Sequence, residues 1–265
     1  MITLGFIGTG SMGGALARAA CVNTPPAEIL LANRSPEKAK ALAEELGCTP
    51  GTAEQAAQAE YIFLGVKPKD MAACLDEIKP ILQQRKDDFV LVSMAAGLDT
   101  AAVRALAGAE YPVMRLWPNT PAAIGQGLIA WCAEGVARAQ SDRLVSLMAG
   151  AGLWDECPEN LMDTASVLGG CTPAFVYMFI EALSDGAVRC GMSRAQALRY
   201  AAKAVEGAAA LCGRTGGNPG ALKDAVCSPG GSTIEGVLTL ENSAFRAAAS
   251  QAVISAWEKT KRMAK

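Results

Sequence analysis

The sequence predicts an α/β protein in which a doubly wound, mostly parallel sheet precedes an all-helical domain. Two observations carry this prediction. Up to about residue 157, short apolar runs alternate with segments of helical period, and beyond Pro158 the strand signals stop. Repeated β-α units build a parallel sheet with helices on both of its faces. We therefore expect one domain over residues 1–157 and a second over residues 158–265 of the 265-residue chain.

The first domain is predicted element by element from its apolar patterns. Strands are expected at 4–7, 28–32, 61–66, 89–93, 112–116, 127–132 and 152–156. Helices are expected at 12–21, 68–82 and 99–106, with one from about 138 and one that Ser35 caps and Pro36 opens. Ser and Pro in these two positions are typical of a helix start, and Gly47 is suited to end the same helix.

The second domain is predicted to be helical from its capping residues and its alanine content. Helices are expected to begin at Thr172-Pro173, at Ser193 with Gln196 as a capping box, and near Asn242. Small residues occupy several faces of these helices, and a helix that is apolar all round is a buried one. Because about 105 residues are few to bury such helices, we expect packing against a second copy; a self-contained bundle is the alternative.

Composition excludes several classes of function. The net charge is −2 and no basic cluster stands out, so no nucleic-acid partner is expected. No uninterrupted apolar segment reaches the ~20 residues of a membrane span, and the N-terminus lacks the pattern of a signal peptide. The nine cysteines form no C-x-x-C pair and histidine is absent, so no metal site and no Ser-His-Asp triad is expected. We expect a cytoplasmic protein with reduced thiols.

A glycine-rich turn follows the first predicted strand. Residues 8–13 read Gly-Thr-Gly-Ser-Met-Gly, a G-x-G-x-x-G between a strand and a helix. In a Rossmann-type domain Gly8 allows the tight turn, Gly10 lets the backbone approach a pyrophosphate, and Gly13 lets the helix pack closely on the strand. The pattern predicts a dinucleotide site; an ordinary strand-helix turn is the alternative.

The end of the second strand bears on the choice of cofactor. Ala32-Asn33-Arg34-Ser35 offers no acid to accept hydrogen bonds from a ribose 2′-hydroxyl. Arg34 and Ser35 are instead suited to a 2′-phosphate, which favours NADP. The alternative is that Arg34 is a solvated loop residue and Ser35 only a helix cap.

Two further loops are expected at the same edge of the sheet. Lys67, in Gly65-Val66-Lys67-Pro68, could reach a phosphate or a ribose, or could equally be a plain loop lysine. Ala95-Ala96-Gly97 is small enough to admit a nicotinamide ring.

A second glycine loop lies in the helical half. Ser228-Pro229-Gly230-Gly231-Ser232-Thr233 precedes a predicted helix start, with Ser232 and Glu235 as a capping box. Backbone N–H groups and hydroxyls in such a loop can bind an anion such as a carboxylate. A plain turn between two helices is the equally weighted alternative.

Taken together, these motifs resemble those of the pyrroline-5-carboxylate reductase family, and the similarity runs along the whole chain. The matching segments are F-I-G-T-G-S-M-G (6–13), A-N-R-S-P-E-K (32–38), G-V-K-P (65–68), S-M-A-A-G (93–97), W-P-N-T-P (117–121) and L-K-D-A-V-C-S-P-G-G-S-T-I-E-G (222–236). The last segment is the most specific one. The resemblance implies a helical dimerisation domain after the dinucleotide-binding domain.

The resemblance also implies an activity and its residues. It implies hydride transfer from NAD(P)H to the imine carbon of 1-pyrroline-5-carboxylate, giving L-proline. The expected preference for NADPH over NADH comes from residues 33–35. Substrate contacts would come from Ser228, Gly230, Gly231, Ser232 and Thr233, and Thr233 would be the catalytic residue that bonds the ring nitrogen. The implied cofactor contacts are Gly8, Thr9, Gly10, Ser11, Met12, Asn33, Arg34, Ser35, Val66, Lys67, Pro68, Ala95, Ala96 and Asn119.

The expected partners are a small-molecule substrate and further copies of the chain, in a homodimer or a larger homo-oligomer built from dimers. Two other functions stay open on the sequence. One is reduction of a related cyclic imine or a β-hydroxyacid. The other is a non-catalytic, NADP-binding regulator on the same scaffold.

Overall fold

A computed structural model describes residues 2–263, which form eight strands and eleven α-helices. The strands are β1 (Leu4–Ile7), β2 (Ile29–Ala32), β3 (Thr49–Gly51), β4 (Tyr61–Leu64), β5 (Val90–Ser93), β6 (Val113–Trp117), β7 (Gly127–Glu134) and β8 (Gly152–Glu156). The helices are α1 (Ser11–Ala20), α2 (Pro36–Leu46), α3 (Ala53–Ala56), α4 (Met71–Gln84), α5 (Thr100–Ala107), α6 (Arg138–Leu147), α7 (Met162–Arg189), α8 (Arg194–Thr215), α9 (Pro219–Ala225), α10 (Ser232–Asn242) and α11 (Phe245–Met263).

The strands form one sheet in the order β3-β2-β1-β4-β5-β6-β7-β8. Every neighbouring pair is parallel except β6 and β7, so the predicted mostly parallel, doubly wound sheet is confirmed. The chain runs outward from β1 to β3 and then returns to place β4 on the other side of β1. This reversal creates a crevice at the carboxyl ends of β1 and β4, where open α/β sheets bind their ligands.

Alternate side chains of the central strands supply two apolar layers, one on each face of the sheet. Phe6 and Phe63 belong to one layer and stack with ring centroids 4.3 Å apart. Ile7, Ile62 and Leu64 belong to the other. The continuous apolar runs of β1 and β4 follow from this arrangement, because a strand covered on both faces needs no polar side.

Most predicted elements of the first domain are present within a few residues of their expected ends. The sequence reading missed β3 and α3. β3 is three residues long and contains Pro50, which is tolerated because the strand lies at the edge of the sheet. α3 is a single turn, but its start carries a signal that could have been read: Thr52 accepts from the Gln55 N–H, and the Gln55 side chain accepts from the Thr52 N–H.

The predicted helix start at Thr172-Pro173 is wrong. α7 already begins at Met162 and continues through Pro173 to Arg189. An interior proline costs a helix roughly 3 kcal/mol. The residues before it offset that cost, because Met162, Ser166 and Val167 are buried in the first turns of α7.

Two predicted capping boxes are also wrong, although both helices begin where expected. Ser193 caps α8 without a side-chain hydrogen bond. The cap of α10 is Gly231, so Ser232 is already the first helical residue and cannot pair with Glu235 in a box. The last helix begins at Phe245, three residues after Asn242 ends α10.

The chain packs as two compact units. One contains the residues up to Gly170 together with the chain from Trp257 onward, and the other contains Cys171–Ala256. The last strand ends at Glu156, so the change from sheet to helices comes before the change in packing, which falls inside α7. A division of the sequence after residue 157 thus follows the secondary structure. By packing, the first turns of α7 belong to the compact unit that contains the sheet.

The second unit exposes much apolar surface. Within Cys171–Ala256 the buried side chains are Ser184, Ala197 and Ala201. Large apolar residues remain exposed, among them Tyr177 at 62 %, Met178 at 70 % and Leu211 at 54 %. Isolated apolar residues are normal on a surface, but this many on consecutive helices indicate a surface that a partner covers.

One helix corrects the expectation that no segment could span a bilayer. The helical segment over residues 159–189 has the length and the apolar composition that a membrane span requires. One such helix is weak evidence for a membrane, because helices buried in soluble proteins meet the same criteria.

A buried ionic cluster joins β6 to the start of α7. Arg115 is 3 % exposed and lies 2.8 Å from a carboxylate oxygen of Glu159 and 3.3 Å from one of Asp163. Glu159 also accepts from the Thr100 hydroxyl at 2.9 Å and from the Cys132 thiol at 3.3 Å. Burial alone would raise the pKa of Glu159, but these hydrogen bonds outweigh it and hold that pKa below its usual value.

We predict that Arg115→Met lowers the free energy of unfolding by about 3 kcal/mol, because it leaves two carboxylates without their buried cation. Urea unfolding followed by circular dichroism measures this loss.

The depressed pKa of Glu159 makes the stability depend on pH. The contribution of Glu159 to the free energy of unfolding is complete above its unfolded-state pKa and disappears as pH falls through its folded-state pKa. Glu159→Gln should therefore flatten the loss of stability below about pH 5. If the free energy of unfolding of Glu159→Gln fell with decreasing pH as steeply as that of the wild type, Glu159 would not be the group responsible.

Candidate active site

The predicted cofactor residues of the first unit share one edge of the sheet. Residues 8–12 follow β1, residues 33–35 follow β2, residues 66–68 follow β4, residues 95 and 96 follow β5, and Asn119 follows β6. These strands are parallel, so their carboxyl ends lie side by side. The loops therefore frame the crevice between β1 and β4.

The fingerprint turn requires its glycines for different reasons. Gly8 has a φ of 101°, and a Cβ there would lie 2.6 Å from the carbonyl oxygen of Gly65. A Cβ on Gly13 would lie 2.1 Å from the carbonyl oxygen of Gly8. At Gly10, by contrast, a Cβ would meet nothing within 4 Å. The fold thus accounts for Gly8 and Gly13, whereas the absence of a side chain at Gly10 leaves open space at the start of α1.

The turn also holds an unsatisfied polar atom. The hydroxyl oxygen of Thr9 is buried and has no hydrogen-bond partner. Thr9 as a residue lines a groove of about 560 Å³ together with Gly10, Ser11, Ala123 and residues of α1 and α2. Since buried polar atoms are normally paired, an unpaired hydroxyl beside the N-terminus of α1 suits a bound phosphate. These residues therefore fit a dinucleotide.

At the end of β2, Arg34 has a side chain that is 90 % exposed and lies 3.8 Å from the Asp70 carboxylate. Ser35 is the cap of α2, but its side chain makes no capping hydrogen bond, so the hydroxyl is free to bind a ligand. Asn33 precedes them at the same edge and is partly exposed. All three residues lie where the ribose of a dinucleotide binds in this topology.

The remaining loops differ in how free their side chains are. Lys67 is exposed, while Val66 is partly buried, and Pro68 starts a short 3₁₀ turn. Ala95 is buried and Ala96 is exposed, and Gly97 has a φ of 75°.

Asn119 is 8 % exposed, and its side-chain amide is hydrogen-bonded on both sides. The amide N–H donates to the Gly169 carbonyl and the amide oxygen accepts from the Leu128 N–H, both at 3.0 Å. Its side chain therefore serves the fold.

The second glycine loop belongs to the other compact unit and joins α9 to α10. The Gly231 N–H donates to the Ser228 carbonyl at 3.0 Å. Pro229 and Gly230, with a φ of 67°, occupy the two central positions of this turn, as is usual in a type II turn. A Cβ on Gly231 would lie 2.5 Å from the Ser228 hydroxyl oxygen, a side-chain end that can rotate away, and 3.1 Å from the Ser228 carbonyl oxygen.

The side-chain hydroxyls of this loop, on Ser228, Ser232 and Thr233, make no hydrogen bonds within the described residues, and all three residues are exposed. Ser232 and Thr233 are the first two residues of α10, whose first N–H groups have no partner within the helix. The loop is a turn between two helices, and it also offers the N–H groups and hydroxyls that an anion requires.

Sequence reading missed three charged residues that line the groove at the fingerprint turn: Lys38, and the paired side chains of Arg18 and Glu45. Lys38, in the first turn of α2, lines the groove with Thr9. Its position three residues after Ser35 could have identified it, because residues with this spacing share a helix face.

The fold and its glycine loop define a dinucleotide-binding protein with a helical second domain. A family model described as pyrroline-5-carboxylate reductase dimerisation matches residues 159–263. A second, described as NADP oxidoreductase coenzyme F420-dependent, matches residues 3–97.

Relatives along the whole chain identify the family. The chain is 37 % identical to a pyrroline-5-carboxylate reductase of Escherichia coli, over 99 % of this chain and 98 % of that protein. It is 36 % identical to a pyrroline-5-carboxylate reductase 3 of Danio rerio, over 99 % and 91 % of the two chains. The chain belongs to the pyrroline-5-carboxylate reductase family.

Solved structures agree with this result. A pyrroline-5-carboxylate reductase from Coxiella burnetii superimposes with a TM-score of 0.91 at 28 % identity, covering 100 % of this chain and 99 % of that one. A pyrroline carboxylate reductase from Plasmodium falciparum, solved with NADP bound, superimposes with a TM-score of 0.86 at 29 % identity. The match covers 100 % of this chain and 98 % of that one.

Proposed function

We propose that this protein reduces 1-pyrroline-5-carboxylate to L-proline with NADPH, the last step of proline biosynthesis. The observation that carries the proposal is the whole-chain identity with reductases of that name. The unpaired Thr9 hydroxyl and the open space at Gly10 support the cofactor half of the reaction. The hydroxyls of the loop before α10, which make no hydrogen bonds within the described residues, support the substrate half.

NADPH, when bound, supplies the hydride. The chain's own residues supply positioning, which is the larger part of catalysis in such a transfer. We assign the pyrophosphate to residues 8–12 and the adenosine ribose to residues 33–35. The cofactor contacts are completed by residues 66–68, Ala95, Ala96 and Asn119. Because the side-chain amide of Asn119 is already hydrogen-bonded within the protein, we assign the contact to its backbone.

In the second unit, Ser228, Gly230, Gly231 and Ser232 bind the substrate carboxylate, and Thr233 bonds the ring nitrogen. A threonine hydroxyl is a poor proton source near neutral pH, and the chain contains no histidine to serve instead. Thr233 therefore orients and polarises the imine. The proton comes from solvent, or arrives on the substrate as an iminium.

An absorbance assay at the nicotinamide band tests this function. NADPH oxidation should be fastest with pyrroline-5-carboxylate in a panel that includes other cyclic imines and the oxo form of a β-hydroxyacid. Faster turnover of another imine would move the assignment to a related reductase. No oxidation with any member, together with tight NADPH binding, would favour the non-catalytic regulator.

We further propose that the protein is a homodimer, or a larger assembly of dimers, and that it works in the cytoplasm. The exposed apolar residues of α7 and α8 and the dimerisation-domain match support the assembly. All nine cysteines are free, which is consistent with a reducing compartment.

Replacing Met178 by glutamate is predicted to shift the protein toward monomer. Met178 is 70 % exposed on α7, and burying a carboxylate at a subunit interface costs several kcal/mol unless it is paired. Light scattering after size exclusion measures the mass. Glu206→Gln on α8, a residue that is exposed and pairs with Lys203, is the control and should keep the wild-type mass. An unchanged mass for Met178→Glu would remove this part of α7 from the interface.

A further inference from the structure

We propose that Cys21 and Cys48 form a reversible dithiol–disulfide pair that exchanges with small disulfides of the glutathione class. Cys21 is the attacking thiol and Cys48 is the resolving thiol. Both residues lie outside the segments assigned to cofactor and substrate, so the inference does not depend on the proposed reaction. It is carried by the packing of two helix ends, the distance between the sulfurs and the unequal burial of the thiols.

The C-terminal ends of α1 and α2 bring the two thiols together. Cys21 directly follows α1, and Cys48 follows Gly47 at the end of α2. One turn earlier in each helix, Arg18 pairs with Glu45. Both contacts join residues that are 27 positions apart, so the two helix ends lie side by side in one register. The approach of the thiols is therefore fixed by the packing of two helices.

The two sulfur atoms are already in contact. The Cys21 Sγ lies 3.6 Å from the Cys48 Sγ. A disulfide holds its sulfurs about 2.05 Å apart, so closure needs a movement of about 1.5 Å shared between two side chains. The Cys21 thiol donates to the Ala17 carbonyl at 3.2 Å, which leaves the Cys48 thiol as the donor between the two sulfurs. Cys48 is thus aimed at the sulfur that it attacks.

Unequal burial assigns the two roles. Cys48 is 9 % exposed and belongs to the apolar layer that contains Phe6. Burial, together with the hydrogen bond to Cys21, raises the pKa of the Cys48 thiol well above its usual value. A buried, protonated thiol does not react first with a dissolved oxidant. Cys21 is only partly buried, so a small disulfide reaches Cys21 first.

The exchange has two balanced steps. The Cys21 sulfur attacks one sulfur of the small disulfide, whose S–S bond breaks, and a small thiolate leaves with the electron pair. The Cys48 sulfur then attacks the Cys21 sulfur of the mixed disulfide and expels the second small thiolate. Two protein thiols are oxidised to one disulfide, the small disulfide is reduced to two thiols, and the two protons pass to those thiols. An excess of the small thiol reverses both steps.

Peptide mapping after equilibration with oxidised glutathione tests the pair in the folded, full-length protein. After alkylation of free thiols and trypsin digestion without reductant, peptide 19–34 should be linked to peptide 41–69, each of which contains one cysteine. Dithiothreitol should separate them. Because the link fits the native packing, it should also raise the melting temperature by about 5 °C. Cys190→Ser removes an exposed thiol elsewhere and is the control, which should form the link like the wild type.

Two variants test the assigned roles. Cys48→Ala should keep a glutathionyl group on Cys21, because no second thiol displaces it. Cys21→Ser should leave peptide 41–69 without glutathione, because Cys48 is buried. A wild-type protein without the linked peptide would overturn the inference, and so would a linked protein whose melting temperature does not rise. Glutathione on Cys48 in Cys21→Ser would overturn the order of attack. None of these readouts uses turnover, so they are independent of the proposed reaction.

Discussion

Replacing Gly10 by alanine should weaken NADPH binding on the order of 100-fold while leaving the melting temperature unchanged, because the change displaces a tightly held ligand without straining the protein. Gly10 has a φ of −67° and a ψ of −165°, which alanine adopts freely. A Cβ there meets nothing within 4 Å, so the methyl group has no clash inside the chain. It occupies instead the space that the proposed pyrophosphate needs.

Fluorescence titration with NADPH and a thermal melt give the two readouts. Gly207→Ala on α8 is the matched control, since a Cβ there also meets nothing within 4 Å and Gly207 does not line the groove. It should bind NADPH like the wild type. Undiminished NADPH affinity in Gly10→Ala would show that the pyrophosphate does not approach this turn.

Thr233→Ala is predicted to lower turnover of pyrroline-5-carboxylate roughly 100-fold, the usual effect of losing one polarising hydrogen bond in an active site. NADPH affinity should not change, because Thr233 is assigned to the substrate. The hydroxyl makes no bond within the described chain and the residue is exposed, so its loss should not affect stability. Steady-state kinetics and NADPH titration measure both quantities.

Two further variants separate chemistry from structure. Thr233→Ser keeps the hydroxyl and should recover most of the turnover. Thr239→Ala lies two turns along the same helix, where the hydroxyl donates to the Glu235 carbonyl at 3.0 Å, and it should behave as wild type. Unchanged turnover and substrate affinity in Thr233→Ala would remove Thr233 from the reaction.

The parts of the structure that were predictable depend on local signals. The glycine spacing at residues 8–13 and the apolar runs of β1 and β4 are short-range patterns, and each fixed its element correctly. A local signal gave a wrong helix start where burial, a long-range effect, outweighed it. Pro173 reads as a helix start, but burial of Met162 and Val167 extends α7 ahead of it.

Other features had no local signal at all. Arg115 pairs with Glu159 and Asp163, which follow it by 44 and 48 residues, so only the folded sheet brings them together. Asn119 illustrates the same limit for the site. The W-P-N-T-P segment suggests a cofactor contact, whereas its amide bonds to Gly169 and Leu128 show that the fold uses the side chain.

Isotope transfer tests the proposed reaction most directly. The protein is incubated with pyrroline-5-carboxylate and NADPH that carries deuterium at both C4 positions of the nicotinamide. The product is analysed by chiral chromatography and mass spectrometry. We expect L-proline in equal amount to the NADPH oxidised, with one deuterium on the former imine carbon. Oxidation of NADPH without deuterated L-proline, or no oxidation at all, would contradict the proposed reaction.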